Sequence, residues 1–296
     1  MSLDSMKEIF DRMEQEGKPF WEIVLETDME ERQVTRSQSM AKMLLTWQAM
    51  ADAADNYTGR RRSVSGLVGG DGMKMRQYCF RGEAMSGGYI SEVITEALSM
   101  AESNACMCRI VAAPTAGACG VMPAVLLPLC KYEKLTQHQI LEALYVASGI
   151  GAVIAHRACI AGASGGCQAE IGTASAMAAG ALVALRGGTG EQIGHAVAMA
   201  LKNLMGLICD PVAGLVEVPC VKRNVIGAVN AVSVADMAMA GITSRIPVDE
   251  VIDAMGEVGR RLPVEFRETA LGDLAATPTG NAIKRSMRQG KDEDAL

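Results

Sequence analysis

Residues 162–185 read GASGGCQAEIGTASAMAAGALVAL. From Gln168 to Leu185 the run is rich in alanine and methionine and contains no proline, which predicts a helix. Before it stand Gly162, Gly165 and Gly166, a backbone that turns tightly or lets another group come close. Cys167 lies at the junction. There the unpaired N–H groups and the dipole of a helix start favour an anionic sulfur, as nucleophile or as metal ligand. The plainer reading is a small buried hydrophobe filling space.

Working outward, the chain repeats this composition. Of 296 residues, 49% are hydrophobic but only 4% aromatic, with 20 methionines and 31 glycines, so the core is built from small and flexible aliphatic side chains. That favours close-packed helices over a sandwich of β-branched and aromatic strands, and the expected fold is all-α. Helix-face spacing recurs at Met40, Met43, Leu44, Trp47, Met50, Ala51 and Ala54, and again from Ile90 to Ala101. Thr136 with Gln139, and Thr189 with Gln192, have capping-box spacing, and Pro247 suits the first position of a helix through Met255. Residues 60–88 are glycine-rich without a helical face and read as a long ordered loop, with short extended pieces. The charged end, residues 284–296, is expected to fray. No repeat and no linker divides the chain, so a single domain over 1–296 is expected.

A net charge of −6 argues against general affinity for nucleic acid or anionic lipid. Arg60, Arg61 and Arg62 form the one notable basic run, a solvated turn in the plain reading and an anion site beside the following glycine loop in the other. The uncharged stretches 112–130 and 158–169 are broken by prolines or glycines and do not resemble membrane spans. The first residues are too charged for a secretory signal, and nine cysteines, an odd number, suit a reducing compartment; a cytoplasmic location is expected.

Two more cysteines share the setting of Cys167. Cys220 follows Pro219 at the start of a helical run, and Cys209 precedes an Asp-Pro turn where a helix ends. Cys106, Cys108, Cys130 and Cys159 lie in apolar or helical runs and read as packing, while Cys79 and Cys119 are left open. Thiols held by loops and helix starts, without CxxC or Cys-His zinc spacing, are compatible with an iron–sulfur cluster.

The runs APTAGACGVMPAVL (113–126), GASGGCQAEIG (162–172), CDPVAGLVEVPCVKRN (209–224) and FRETALGDLA (266–275) resemble the α chain of iron–sulfur-dependent L-serine dehydratase, an L-serine ammonia-lyase, in order and spacing. The resemblance implies a four-iron, four-sulfur cluster held by Cys167, Cys209 and Cys220, whose remaining iron has no protein thiolate. It further implies a Lewis-acid elimination of water from L-serine to give pyruvate and ammonia. By the same resemblance, the loop with Ser65, Gly66, Gly69 and Gly70 and the turn with Thr115 and Gly117 approach the substrate.

Two departures stand out. Ala116 replaces an asparagine common in such chains, and the Ser-His-Thr motif of the family's other part is absent, which implies a separate β subunit and a hetero-oligomer. The catalytic base stays unassigned. His156 and His195 read as core or surface histidines, Glu170 as a helix cap, and Lys222 as a charge that balances the cluster. An L-cysteine desulfidase of related fold and a non-catalytic iron–sulfur sensor are the alternatives. A pyridoxal-phosphate enzyme is disfavoured, since no lysine and phosphate cradle suit it.

Overall fold

The computed structural model describes residues 3–293, with side chains through Gln289. The N-terminal helices are α1 (Met6–Glu16), α2 (Phe20–Arg32) and α3 (Arg36–Asp55). They are followed by α4 (Asp71–Phe80), α5 (Gly87–Ala105), α6 (Val121–Glu133) and α7 (Gln137–Arg157). A single turn, α8 (Gly162–Gly165), and a π-turn (Gln168–Gly172) lead into α9 (Thr173–Leu185). After it come α10 (Gly190–Leu204), α11 (Cys220–Met239), α12 (Val248–Arg261), the short α13 (Asp273–Ala276) and α14 (Pro278–Glu293). Among the described residues there is no strand, as the all-α expectation requires; one isolated parallel bridge joins Cys209 to Arg267.

The opening stretch becomes the centre of the molecule. Every residue of α9 from Thr173 to Val183 is buried, and α6, α7, α10 and α11 pack around it. A helix that is apolar on all sides can satisfy itself only in this position. Small residues let its neighbours approach closely: a Cβ on Gly180 would collide with Ile150 of α7, and one on Gly151 would lie 3.0 Å from Met177 Sδ. α7 is the one described helix long and apolar enough to cross a membrane, and 67% of its most apolar stretch is buried. Here it packs between α2 and α9.

Both expected capping boxes form, and Thr35 with Gln38 makes a third at the start of α3. Pro247 takes the N-cap of α12, one position earlier than expected. One expectation is corrected. Residues 60–88 are not one loop with extended pieces, because α4 occupies their middle. Its sequence buries only Gly72, so no apolar face announced it; the helix is held instead from its N-terminus by Glu102 of α5, which accepts the N–H groups of Gly70 (3.0 Å), Asp71 (2.7 Å) and Gly72 (3.4 Å). At the charged end, α14 runs through Glu293, with Thr277 Oγ1 accepting from Gly280 N at 3.0 Å at its start. Residues 294–296 lie outside the described residues.

Candidate active site

The three cysteines come from three segments, each placed by its own backbone device. Cys167 caps the π-turn that enters α9. Gly166 before it has φ +76°, and a Cβ there would meet Leu262 Cδ1 at 2.7 Å and Leu207 O at 3.0 Å, so only glycine fits. The buried Gln168 ties the turn to the next segment: its N–H donates to Leu207 O (2.9 Å), its Oε1 accepts from Gly206 N (2.8 Å), and its Nε2 donates to Met255 O (3.2 Å).

That tie delivers Cys209. α10 ends at Leu204, so Cys209 does not leave a helix as expected; it sits in extended backbone clamped to residues 266–268. Cys209 N donates to Phe266 O and Glu268 N donates to Cys209 O, both at 2.8 Å. Glu268, Ala270 and Asp273 all have positive φ (63°, 54° and 47°), a conformation that costs non-glycine residues about 1–3 kcal/mol each. The clamp thereby turns Glu268 toward the thiols.

Cys220 is the first residue of α11. One turn later the buried Asn224 donates to Cys220 O (3.1 Å) and Gly117 O (2.8 Å) and accepts from Gly120 N (2.9 Å), fastening the 113–120 turn to the helix. The glycine loop reaches the same place. Ser63 donates to the buried Glu217 (2.7 Å), Ser65 donates to the same carboxylate oxygen, and Val68 packs with Val221 of α11. Ser65 therefore anchors its loop, with Gly66 and the left-handed Gly69 and Gly70 beyond it.

Burial dominates the electrostatics. It pushes the Cys167 and Cys220 thiols up to about 12 and Cys209 further still, and the nearby sulfurs add to the rise for Cys209 and Cys220. Arg223, next to Lys222 in sequence, opposes this at Cys167 and Cys220. Its guanidinium is largely buried and donates to Ile208 O and Asp210 Oδ1, both at 2.8 Å. Lys222, expected to balance charge here, instead pairs with Asp71 at the start of α4 (2.6 Å) on an exposed surface. A helix turns its side chains about 100° per residue, which sends neighbours to different faces.

Glu170 is not a helix cap. Its carboxylate lies over two glycines: a Cβ on Gly162 would stand 2.9 Å from Oε2 and 3.2 Å from Cys209 Sγ, and one on Gly117 3.4 Å from Oε2. Burial raises its pKa; the adjacent Thr115 hydroxyl and Gly162 N–H counter this, while Glu268 adds to it. Thr115 Oγ1 is itself buried and makes no hydrogen bond of ordinary geometry. Thr115 and Gly117 thus flank Glu170. The histidines do not: His156 pairs with Asp4 (3.6 Å), and His195 Nδ1 accepts from Ser244 N (3.3 Å). Among the described residues, no three His, Cys, Asp or Glu side chains are close enough to share one metal ion.

Of the other cysteines, Cys159 packs its Sγ against Gly165 of α8, where a Cβ would meet it at 2.5 Å. Cys119 is buried, with Sγ 3.7 Å from Met100 O, and Cys79 lies 3.7 Å from Ser91 O. Cys106 and Cys108, read as packing, line a cleft of about 440 Å³ with Tyr57, Arg61, Glu102 and Arg109, away from the three-thiol site. Arg62 of the basic run folds back onto the carbonyls of Gly59 (3.3 Å) and Arg61 (3.1 Å), and Arg60 and Arg61 are exposed.

Residues 15–275, which contain every segment of this site, match the family described as serine dehydratase alpha chain. The chain belongs to that family. It is 44% identical over 286 residues to the probable L-serine dehydratase, alpha chain, of Bacillus subtilis (strain 168), covering 97% of this chain and 95% of that one. To the L-serine dehydratase, alpha chain, of Peptoniphilus asaccharolyticus it is 40% identical over 291 residues, covering 98% and 100%. L-serine dehydratase 2 of Escherichia coli (strain K12) is 44% identical over 181 residues, which are 60% of this chain but only 40% of that longer protein. Within this serine dehydratase family member, the features that a sequence reading passed over are Arg223, Asp210, Asn224 and Gln168. The first and third stand inside the CVKRN run; their pairing with loop carbonyls is a tertiary matter.

Proposed function

We propose that this chain is the α subunit of an L-serine ammonia-lyase, binding a four-iron, four-sulfur cluster through Cys167, Cys209 and Cys220 and working with a separate β subunit. The observation that carries the reading is the meeting of three thiols from three segments beside one buried guanidinium. Full-length relatives named L-serine dehydratase, alpha chain, support the substrate, and longer relatives spanned only in part support a second chain.

The donor set suits such a cluster. Cys167, Cys209 and Cys220 would hold it as three thiolates from separate segments, the ligand type that iron–sulfur clusters take. The π-turn and the start of α11 put N–H groups behind two of the sulfurs, and Arg223 offsets negative charge near them. When bound, the cluster supplies a Lewis acid for the carboxylate and hydroxyl of serine. The protein's own part is to hold the thiols rigidly through Gln168, the 266–268 clamp and Asn224, to present Glu170 and Thr115 beside them, and to exclude water with the partner chain.

The test is anaerobic reconstitution with ferrous iron and sulfide, followed by iron and sulfide analysis and measurement of pyruvate from L-serine, with and without the partner chain at equal cluster content. Four irons per chain and rapid turnover only with the partner are expected. Serine turnover by iron-free protein would overturn the cluster, and full turnover by the isolated chain would overturn the subunit assignment.

A further inference from the structure

Glu170 is a carboxylate in search of a cation. It is mostly buried, no lysine or arginine among the described residues forms an ion pair with it, and its surroundings add the acidic Glu268. Arg223, the one guanidinium at the thiols, is committed to Asp210 and to the carbonyl of Ile208. Beside Glu170 the buried Thr115 hydroxyl has no partner other than this carboxylate, toward which it turns its proton. Gly162 and Gly117, from two other segments, keep the space around the carboxylate clear. The π-turn aims Glu170 at this point, three residues after Cys167. A largely buried carboxyl group whose neighbouring donors, the Thr115 hydroxyl and the Gly162 N–H, carry no charge is stabilised by a small cation that can donate several hydrogen bonds.

We propose that Glu170, assisted by Thr115, is the specificity-determining residue that receives the α-ammonium group of the amino-acid substrate. The inference rests on the serine reading above and adds to it the group that selects an amino acid over the corresponding hydroxy acid. The ammonium contributes three donors and one positive charge; Glu170 and Thr115 supply acceptors and the compensating charge.

The experiment compares L-serine with 3-hydroxypropionate, which keeps the carboxylate and the β-hydroxyl and lacks the amine. Their dissociation constants are measured calorimetrically on cluster-loaded protein with its partner chain, for wild type, Glu170→Gln, Glu170→Asp and Thr115→Val, alongside kcat and KM for serine. Glu170→Gln is expected to weaken serine by about ten- to a hundredfold, the range of a charged hydrogen bond, while 3-hydroxypropionate changes by no more than about twofold. The loss appears in KM, Glu170→Asp restores part of it, and Thr115→Val shows a smaller loss in the same direction. Equal weakening of both compounds, or a fall in kcat with serine affinity unchanged, would overturn the assignment and leave the lyase reading standing. Wild-type protein that binds neither compound would overturn the serine reading, and this inference with it.

Discussion

Two glutamates, the buried Glu102 and the half-buried Glu170, make opposite use of their carboxylates. Glu102 is 1% exposed and fully answered, taking three N–H groups at the start of α4 and the hydroxyl of Tyr57. Glu170 also stands near a helix start, yet it has a second carboxylate for company and no cationic partner among the described residues. One carboxylate is part of the framework because both of its oxygens are hydrogen-bonded. The other is held in place by its surroundings without being neutralised by them, the arrangement a binding group needs.

The largest effect should come from the thiols. Cys167→Ala, Cys209→Ala or Cys220→Ala should each lose the cluster's iron and sulfide and its visible absorbance, whereas Cys106→Ala and Cys130→Ala retain both. A Cys209→Ala protein with its full complement of iron would break the three-ligand assignment. Next is Arg223→Gln, which leaves Asp210 buried and unpaired; about 3–5 kcal/mol of stability should go, read from urea unfolding of the metal-free chain.

The two glutamates themselves give the sharpest contrast. Glu102→Gln removes the charge that several N–H groups share and should cost about 1–3 kcal/mol. Glu170→Gln should be neutral or stabilising, by up to about 1 kcal/mol at pH 7, since it removes a desolvated charge. The sign follows from the raised pKa: the folded chain holds this proton more tightly than the unfolded chain, so Glu170 is destabilising above its folded pKa and ceases to be so below the ordinary value of 4.5. The advantage of Glu170→Gln should therefore vanish as pH falls through the carboxylate range. Equal losses from both variants would erase the distinction. Smallest of all, Lys222→Ala breaks an exposed pair with Asp71 and should change stability by less than about 1 kcal/mol, with iron content unaffected.

Legibility in the sequence followed the range of the interactions. The capping boxes at Thr136 and Thr189 need only residues three apart, and both were readable. α4 was not, because its anchor is Glu102, some thirty residues away, and its own side chains mark no buried face. The three cysteines could be singled out by their settings and by their resemblance to a family. That Cys209 lies beside them through a bridge to Arg267 could not. Lys222 and Arg223 make the point most simply: adjacent cations, of which the sequence suggested the wrong one for the site.

By itself the sequence determined the helical class, the helix that follows Cys167 and the helix start at Cys220, since periodicity, composition and glycine placement act over a few residues. Only the tertiary structure decided which charges meet. Glu102 receives a helix end while Glu170 meets no lysine or arginine among the described residues, because the energy of a buried charge depends on partners brought from distant segments, and no local pattern records them.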